Sequence, residues 1–481
     1  MKEFEPVIGL EVHAQLATQS KLFCGCSSHG FDVPPNTNIC PICTGQPGVL
    51  PVLNRKAVEL GFRAALALGC KIRPTSIFAR KNYFYPDLPK NYQISQYEEP
   101  FSEKGSLRLP GGRTIGVHRI HLEEDAGKLL HSIGNRDLDY SLVDFNRCGA
   151  PLIETVSEPD MRTPQEAYEY LTELKAIFQY IGASSCDMEK GEMRCDANIS
   201  LREKGAEKFG VRAEVKNLNS FKAVKEALEY EIKRQAELLS SGGRVVQETR
   251  LWNEKEGKTA PMRSKEEAHD YRYFPEPDLV PLEADPAWVE KIKKEIPELP
   301  RQRRERLIKT YQLSEYDASV LTSYKDLADH AEGALKQVKS PAAYKVVANL
   351  EINQHLAKLN ESKGDIGNSK VKPQQLAALA DMTATAATLS TAAAKMVFEE
   401  MFSTGKNPQE IVKEKGLAQV SDDKAVQEWI KSAVSENQKA VDDFRKGNER
   451  ALGVLVGAVM KKSQGKANPG LVNKILKETL K

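Results

Sequence analysis

The chain has 481 residues, 28% of them charged, and a formal net charge of only +2. That length exceeds the usual single domain, so two to four are expected, and the balanced charge belongs to a globular chain. No run of about 18 apolar residues occurs, and the start, Met1 to Pro6, carries no apolar signal region; a cytosolic protein with no membrane partner is expected.

The first element is a strand. Val7, Gly9, Glu11, His13 and Gln15 alternate with Ile8, Leu10, Val12, Ala14 and Leu16, a period of two with one polar and one apolar face. Next come Cys24-Gly-Cys26 and Cys40-Pro-Ile-Cys43. Paired close cysteines with Gly and Pro in their turns present four thiolates to one tetrahedral ion, so a structural zinc is expected. Its role would be to fold the loop before Gln46. Cys70, Cys148, Cys186 and Cys195 are scattered and read as small hydrophobes.

Arg80 to Gln96 is too polar for a core strand and too aromatic for an ordinary loop. Pro86 and Pro89 hold the backbone extended around Asp87. Lys81, Tyr83, Tyr85, Asp87, Lys90 and Tyr92 would then stand on a stiff ribbon suited to charged groups and bases. A rigid connector between two sheet elements is the plainer alternative. Thr114 to Glu124 also reads as extended, ending in Glu123-Glu-Asp125 and holding His118 and His121. Pro151-Leu-Ile-Glu154 is a third strand-like piece.

Thr163-Pro-Gln-Glu166 is a capping box with Pro at the first helical position, opening a helix that stops near Gly182. Cys195, Ala197, Ile199 and Leu201 then alternate with Arg194, Asp196, Asn198 and Ser200. Another strand offers Arg212, Glu214 and Lys216 on its polar side. A helix follows from about Phe221 to Leu239, closed by Gly242-Gly243. Pro297 to Arg304 marks a composition shift, beyond which the pattern is helical, with Ala-rich helices such as Gln374 to Phe402. Between Ala440 and Lys481 nine cations face four acids, a basic tail able to attract phosphates.

Glu11 and His13 project from one strand face. With an acid from Glu123-Glu-Asp125 and with Glu154 they would form a Glu–His–Glu–Glu set for Mg²⁺, because hard divalent ions take several oxygens and strand-end carboxylates supply them. Solvent-facing acids are the plainer reading of any one of them. Gly257-Lys-Thr259 imitates the end of a P-loop, but Trp252 stands where its first glycine belongs. If the chain uses ATP, metal and side chains must hold the phosphates. Neither a nucleophile elbow nor a Ser–Ser–Lys spacing is found, which argues against an amide hydrolase.

Together, Ile8-Gly-Leu-Glu-Val-His13, Arg80 to Gln96, His121-Leu-Glu-Glu-Asp-Ala-Gly-Lys128, Gly149-Ala-Pro-Leu-Ile-Glu154, Arg194 to Leu201, Glu214 to Ser220, Asp270 to Asp278, Gly453 to Gly457 and Gly465 to Pro469 resemble one family over essentially the whole chain. It is the B subunit of the bacterial glutamyl/aspartyl-tRNA amidotransferase. The resemblance implies an α+β fold. A cradle-like, mostly antiparallel sheet with flanking helices would occupy residues 1–294, an all-α domain 295–406, and a small helical, tRNA-gripping tail 407–481. It implies ATP-dependent phosphorylation of the side-chain carboxylate of misacylated Glu-tRNA(Gln) or Asp-tRNA(Asn). Ammonia from an amidase A subunit would then displace phosphate, and a small C subunit would complete a heterotrimer. By position, Glu11, His13, Glu124 and Glu154 match the family's metal-binding kinase set. Lys81, Tyr83, Lys90 and Asp196 match residues lining its ammonia passage, which ends near Glu124. The zinc expectation rests on the cysteine spacing and not on the family. A non-catalytic tRNA adaptor is the alternative.

Overall fold

The computed structural model describes residues 3–480 apart from 30–32, 135, 265–267, 385–388, 418–422, 447, 464–466 and 468. The chain divides into two compact units, Met1–Leu299 and Pro300–Lys481. The first extends five residues past the expected boundary at 294 because Ile296 and Leu299 still pack on its core.

The first unit is built on a nine-stranded sheet. Its strands run in the order Lys258–Ser264, Glu248–Asn253, Ala213–Leu218, Met193–Glu203, Phe4–Gln15, Pro151–Ser157, Thr114–Glu124, Ser102–Arg108 and Lys71–Ile72. Every pairing is antiparallel except that of Ala213–Leu218 with Glu248–Asn253. The long strand Phe4–Gln15 is central, and the alternation in its sequence decides which face is which. Ile8, Leu10, Val12 and Ala14 are buried with Ile120, Leu122, Ile153, Ala197 and Ile199 in one core. The helices Arg55–Ala67, Pro164–Tyr180 and Phe221–Ser240 cover that face through Phe62, Tyr170, Leu174 and Val224. A charged face could not be buried against these helices without unpaired ions, so the polar face turns away from them.

The capping box of Pro164–Tyr180 forms as its sequence predicts. Thr163 Oγ1 accepts from the Glu166 N–H, and Glu166 returns to the Thr163 N–H. The segment from Arg80 to Gln96 differs from expectation. It is a hairpin, Ala79–Asn82 against Tyr92–Ser95, with Pro86 and Pro89 in its turn. Arg80 anchors it by a bidentate pair with Glu276, at 2.7 and 2.8 Å. Gly127, in the Glu-Glu-Asp-Ala-Gly-Lys run, lets two backbones meet there. A Cβ would lie 2.8 Å from the Asp144 carbonyl and 3.1 Å from that of Asp87. The residues after it form a separate ribbon, Lys128–Ile133 with Arg136–Asp144.

The second unit is helical and holds two main cores. One gathers Leu307, Leu335, Val347, Leu376, Phe398 and Val412; the other gathers Val426, Ile430, Leu455, Val459, Val472 and Leu476. The expected Ala-rich helix is two helices, Pro373–Ala384 and Thr391–Thr404. A π-turn over Glu351–His355 places Glu351 between His330 and His355, at 3.1 and 3.0 Å. The basic tail runs from the helix Gln438–Arg445 through Arg450–Lys462 and Pro469–Leu480. Part of the Gly465 to Pro469 run, with Lys466, falls outside the described residues. No described helix is long and apolar enough to cross a membrane.

Candidate active site

Antiparallel register puts the polar residues of four strands into rows. His121 opposes Glu154, Glu154 opposes His13, and His13 opposes Arg194. In the next row Arg119 opposes Val156, Val156 opposes Glu11, and Glu11 opposes Asp196. Side chains in such rows stand about 5 Å apart, close enough for charges to interact strongly when half-buried.

The tightest group forms where the rows meet the end of strand Thr114–Glu124. His13 Nε2 lies 3.1 Å from Glu123 Oε1 and 3.7 Å from Glu154 Oε2. His121 Nε2 supports Glu154 at 3.1 Å. Burial opposes charge on His13, but Glu123 and Glu154 outweigh it and raise its pKa to about 9. Burial likewise opposes ionisation of both carboxyls. His13 outweighs it at Glu123, and His121 with His13 at Glu154, so both are held below the usual carboxylate range. One ligand atom from each of His13, Glu123 and Glu154 can be chosen so that all three lie within 4.8 Å of one another. Two ionised carboxylates are hard oxygen donors that suit Mg²⁺ or Mn²⁺, and the imidazole adds a borderline nitrogen.

These residues floor a cavity of ≈ 550 Å³ whose other walls mix cations, further carboxylates and aromatic rings. Asp125 fixes two of the cations: Arg194 Nη2 lies 2.8 Å from Oδ1, and Arg147 Nε 3.4 Å from Oδ2. Burial again opposes its charge, and the two arginines hold its carboxyl low. Lys216 pairs with Asp196 at 2.5 Å and with Glu214 at 3.5 Å. The hairpin and the segment after 270 contribute Lys81, Tyr83, Tyr271 and Tyr273.

The structure gathers most of the residues singled out from sequence, with one exchange. Glu11, His13, Glu154, Lys81, Tyr83 and Asp196 all border this cavity. Glu11 stands outside the tight donor group and accepts from Asn198 Nδ2 at 3.0 Å. Glu124 is on the other side of the sheet. It shares the face of Ile120 and Leu122, bonds Lys90, and accepts the Ile94 N–H at 2.9 Å. Its place beside His13 belongs to Glu123. The signal is present in the sequence. With period two, His121 and Glu123 fall on one face while Ile120, Leu122 and Glu124 fall on the other. Arg147, Tyr271 and Tyr273 carry no comparable signal, because loops and a crossover bring them in.

Lys90 and Glu124 instead line a second, smaller cavity beside Lys21, Cys24, Cys43 and Gln46. The four sulfurs of Cys24, Cys26, Cys40 and Cys43 fall within 4.8 Å of one another, which fits a tetrahedral thiolate site. The Cys24 thiol donates to Cys43, and the Cys40 N–H, 3.2 Å from Cys43 Sγ, adds a second donor; with nearby Lys21 they hold Cys43 in its thiolate form. Cys70, Cys148, Cys186 and Cys195 are buried singly.

Residues 6–290 match the family model of the GatB/GatE catalytic domain, and residues 330–480 match that of the GatB domain. The chain belongs to this family. It is 52% identical to the B subunit of aspartyl/glutamyl-tRNA(Asn/Gln) amidotransferase from Carboxydothermus hydrogenoformans, over all of this chain and 99% of that protein. The same-named proteins of Moorella thermoacetica and Thermodesulfovibrio yellowstonii are each 53% identical, over 99% and 100% of this chain and the full length of each relative. Every residue of the larger cavity lies within the span of the catalytic-domain match.

The His13 proton makes stability depend on pH. Its folded pKa, about 9, exceeds the unfolded value near 6.5. The contribution is therefore complete below about pH 6.5 and is lost as pH rises through about 9. In metal-free buffer with chelator, thermal unfolding of the first unit is expected to fall steadily from pH 6.5 to 9.5. His13→Gln should flatten that fall; an unchanged slope would contradict the placement of the proton.

Proposed function

We propose that this chain activates a side-chain carboxylate on misacylated tRNA by phosphorylation and hosts its conversion to the amide. The observation that carries this reading is the His13–Glu123–Glu154 donor group on the floor of a cavity walled by Arg119, Arg147, Arg194, Arg212 and Lys216. The relatives' printed name supports the substrate class, aspartyl- or glutamyl-tRNA and its amide product.

A carboxylate is a poor electrophile, because its charge repels a nucleophile and oxide is a poor leaving group. Phosphorylation removes both obstacles. A carboxylate oxygen bonds the γ-phosphorus of ATP, and the bond to ADP breaks with its electron pair. Ammonia then bonds the carbonyl carbon, phosphate departs with the C–O pair, and nitrogen loses one proton. His13, Glu123 and Glu154 would hold Mg²⁺, with Glu11 next to them on the same strand face. A bound Mg²⁺ supplies neutralisation of phosphate-oxygen charge during transfer. The cations of the walls would attract nucleotide and tRNA phosphates toward the cavity. Lys81, Tyr83 and Asp196 border the larger cavity, and Lys90 and Glu124 the smaller. An ammonia passage through these residues fits a neutral nucleophile that must stay out of bulk water, since ammonium has no lone pair.

The remaining assignments follow the same reading. Cys24, Cys26, Cys40 and Cys43 would hold a structural zinc, with all four positions taken by thiolates. An amidase A subunit and a small C subunit would complete a heterotrimer. The basic tail would meet tRNA through phosphates and shape.

Glu123→Gln and Glu154→Gln are each expected to lower tRNA-dependent ATP cleavage by at least about 100-fold. Glu124→Gln should stay within about tenfold of wild type, because its carboxylate lies on the opposite sheet face. ATP cleavage that survives Glu123→Gln and Glu154→Gln would leave only the adaptor reading. Metal analysis of the purified chain should give one zinc, released in Cys40→Ser; a metal-free wild type contradicts the thiolate site. Truncation after residue 422 should weaken tRNA binding and leave glutamine hydrolysis by the complex intact. Unchanged tRNA affinity would remove the tail's role.

A further inference from the structure

Lys81 differs from the cations of the larger cavity that are tied to carboxylates, as does Arg119, which lies over the Tyr97 ring at 5.7 Å. Arg147 and Arg194 are tied to Asp125, and Lys216 to Asp196. The Lys81 ammonium has no carboxylate within 4.0 Å among the described residues. It is held by ring faces, 4.8 Å from the centroid of Tyr271 and 5.8 Å from that of Tyr83. Aromatic faces orient a cation while leaving its three N–H donors unspent. The same cavity presents the His13–Glu123–Glu154 group, beyond ion-pair distance from Lys81. Burial opposes charge on Lys81, but Tyr273 and the charges of Glu123 and Glu154, which reach it across that space, favour its ammonium form. No described residue hydrogen-bonds the Lys81 ammonium, so an incoming anion would find its N–H donors available.

We propose that Lys81 is a catalytic residue of the activation step: its ammonium binds the oxygens of the phosphoryl group in transit, and Tyr83 and Tyr271 hold it in position. This rests on the reading of the cavity as the phosphorylation site. As the carboxylate oxygen bonds phosphorus and ADP leaves, negative charge spreads over the three equatorial oxygens, and Lys81 donates hydrogen bonds to them. The same contact stabilises phosphate as it leaves with the C–O electron pair when ammonia attacks. Lys81 stays an ammonium throughout and transfers no proton. A residue that only bordered an ammonia passage would act after activation, so the two roles predict losses at different steps.

The test uses the assembled complex with misacylated tRNA and measures ATP cleavage with no ammonia donor present. Amide formation is followed separately, with glutamine or with ammonium chloride. Lys81→Met is expected to lower kcat for ATP cleavage by at least about 100-fold, with tRNA affinity and glutamine hydrolysis unchanged. Lys81→Arg should recover part of the loss, because charge and donors return. If Lys81→Met cleaves ATP normally and loses only amide formation from glutamine, the residue serves ammonia transit and the inference is overturned. Should Lys81→Met fail to fold, Tyr271→Leu, which removes the ring facing the ammonium, decides the matter. A drop of at least about tenfold supports the inference, and unchanged ATP cleavage overturns it. Glu154→Gln, run alongside, separates the two failures. ATP cleavage lost in Glu154→Gln but kept in Lys81→Met defeats only the Lys81 role, whereas cleavage kept in both defeats the phosphorylation reading itself.

Discussion

Strand register in the central sheet places His121, Glu154, His13 and Arg194 side by side, and the chemistry of the first unit depends on that row. No residue in it is next to another in sequence. Antiparallel pairing fixes which side chains oppose, and the buried apolar face fixes the register, because a slip by one residue would carry Ile8, Leu10 and Val12 to the solvent side. The core that stabilises the sheet therefore also aligns the charged residues on its other face. Substitutions at these apolar positions would disturb the site without touching it.

Charge on that face is balanced locally. Glu123 takes His13, Glu154 lies against His121, Asp125 takes two arginines, and Asp196 takes Lys216. Unbalanced carboxylates this close would repel and raise one another's pKa. In the metal-free protein the His13 proton does what a divalent ion would do in its place. Lys81 adds to this balance through the field of Glu123 and Glu154 without pairing with either, and its ring contacts leave its N–H donors for an incoming anion.

Much of the first unit is legible in the sequence because the relevant signals are local. The alternation over Phe4–Gln15 and Met193–Glu203 and the capping box at Thr163 each encode their element within a dozen residues. The cysteine spacing also brings its four sulfurs together. The donor set is legible only in part. Glu11, His13 and Glu154 are cavity residues as expected, whereas Glu124 gives way to its neighbour Glu123. Matching by family position favours Glu124, but the parity that Ile120 and Leu122 impose turns its carboxylate to the other face. The hairpin of residues 79–95 reads as one ribbon in sequence, since Pro86 and Pro89 mark a turn as readily as an extended run. Tyr271 and Tyr273 join the cavity from almost two hundred residues beyond Lys81, a distance over which no periodicity carries information.

The proposed chemistry needs an ion, not merely a set of acids, on the polar face. Crystals of the assembled complex grown with Mn²⁺ and a non-hydrolysable ATP analogue would locate it directly by anomalous scattering. A peak is expected in contact with His13 Nε2 and the carboxylates of Glu123 and Glu154, on the face away from Glu124. A peak beside Glu124 and Lys90, or none in the larger cavity while nucleotide is bound, would contradict it.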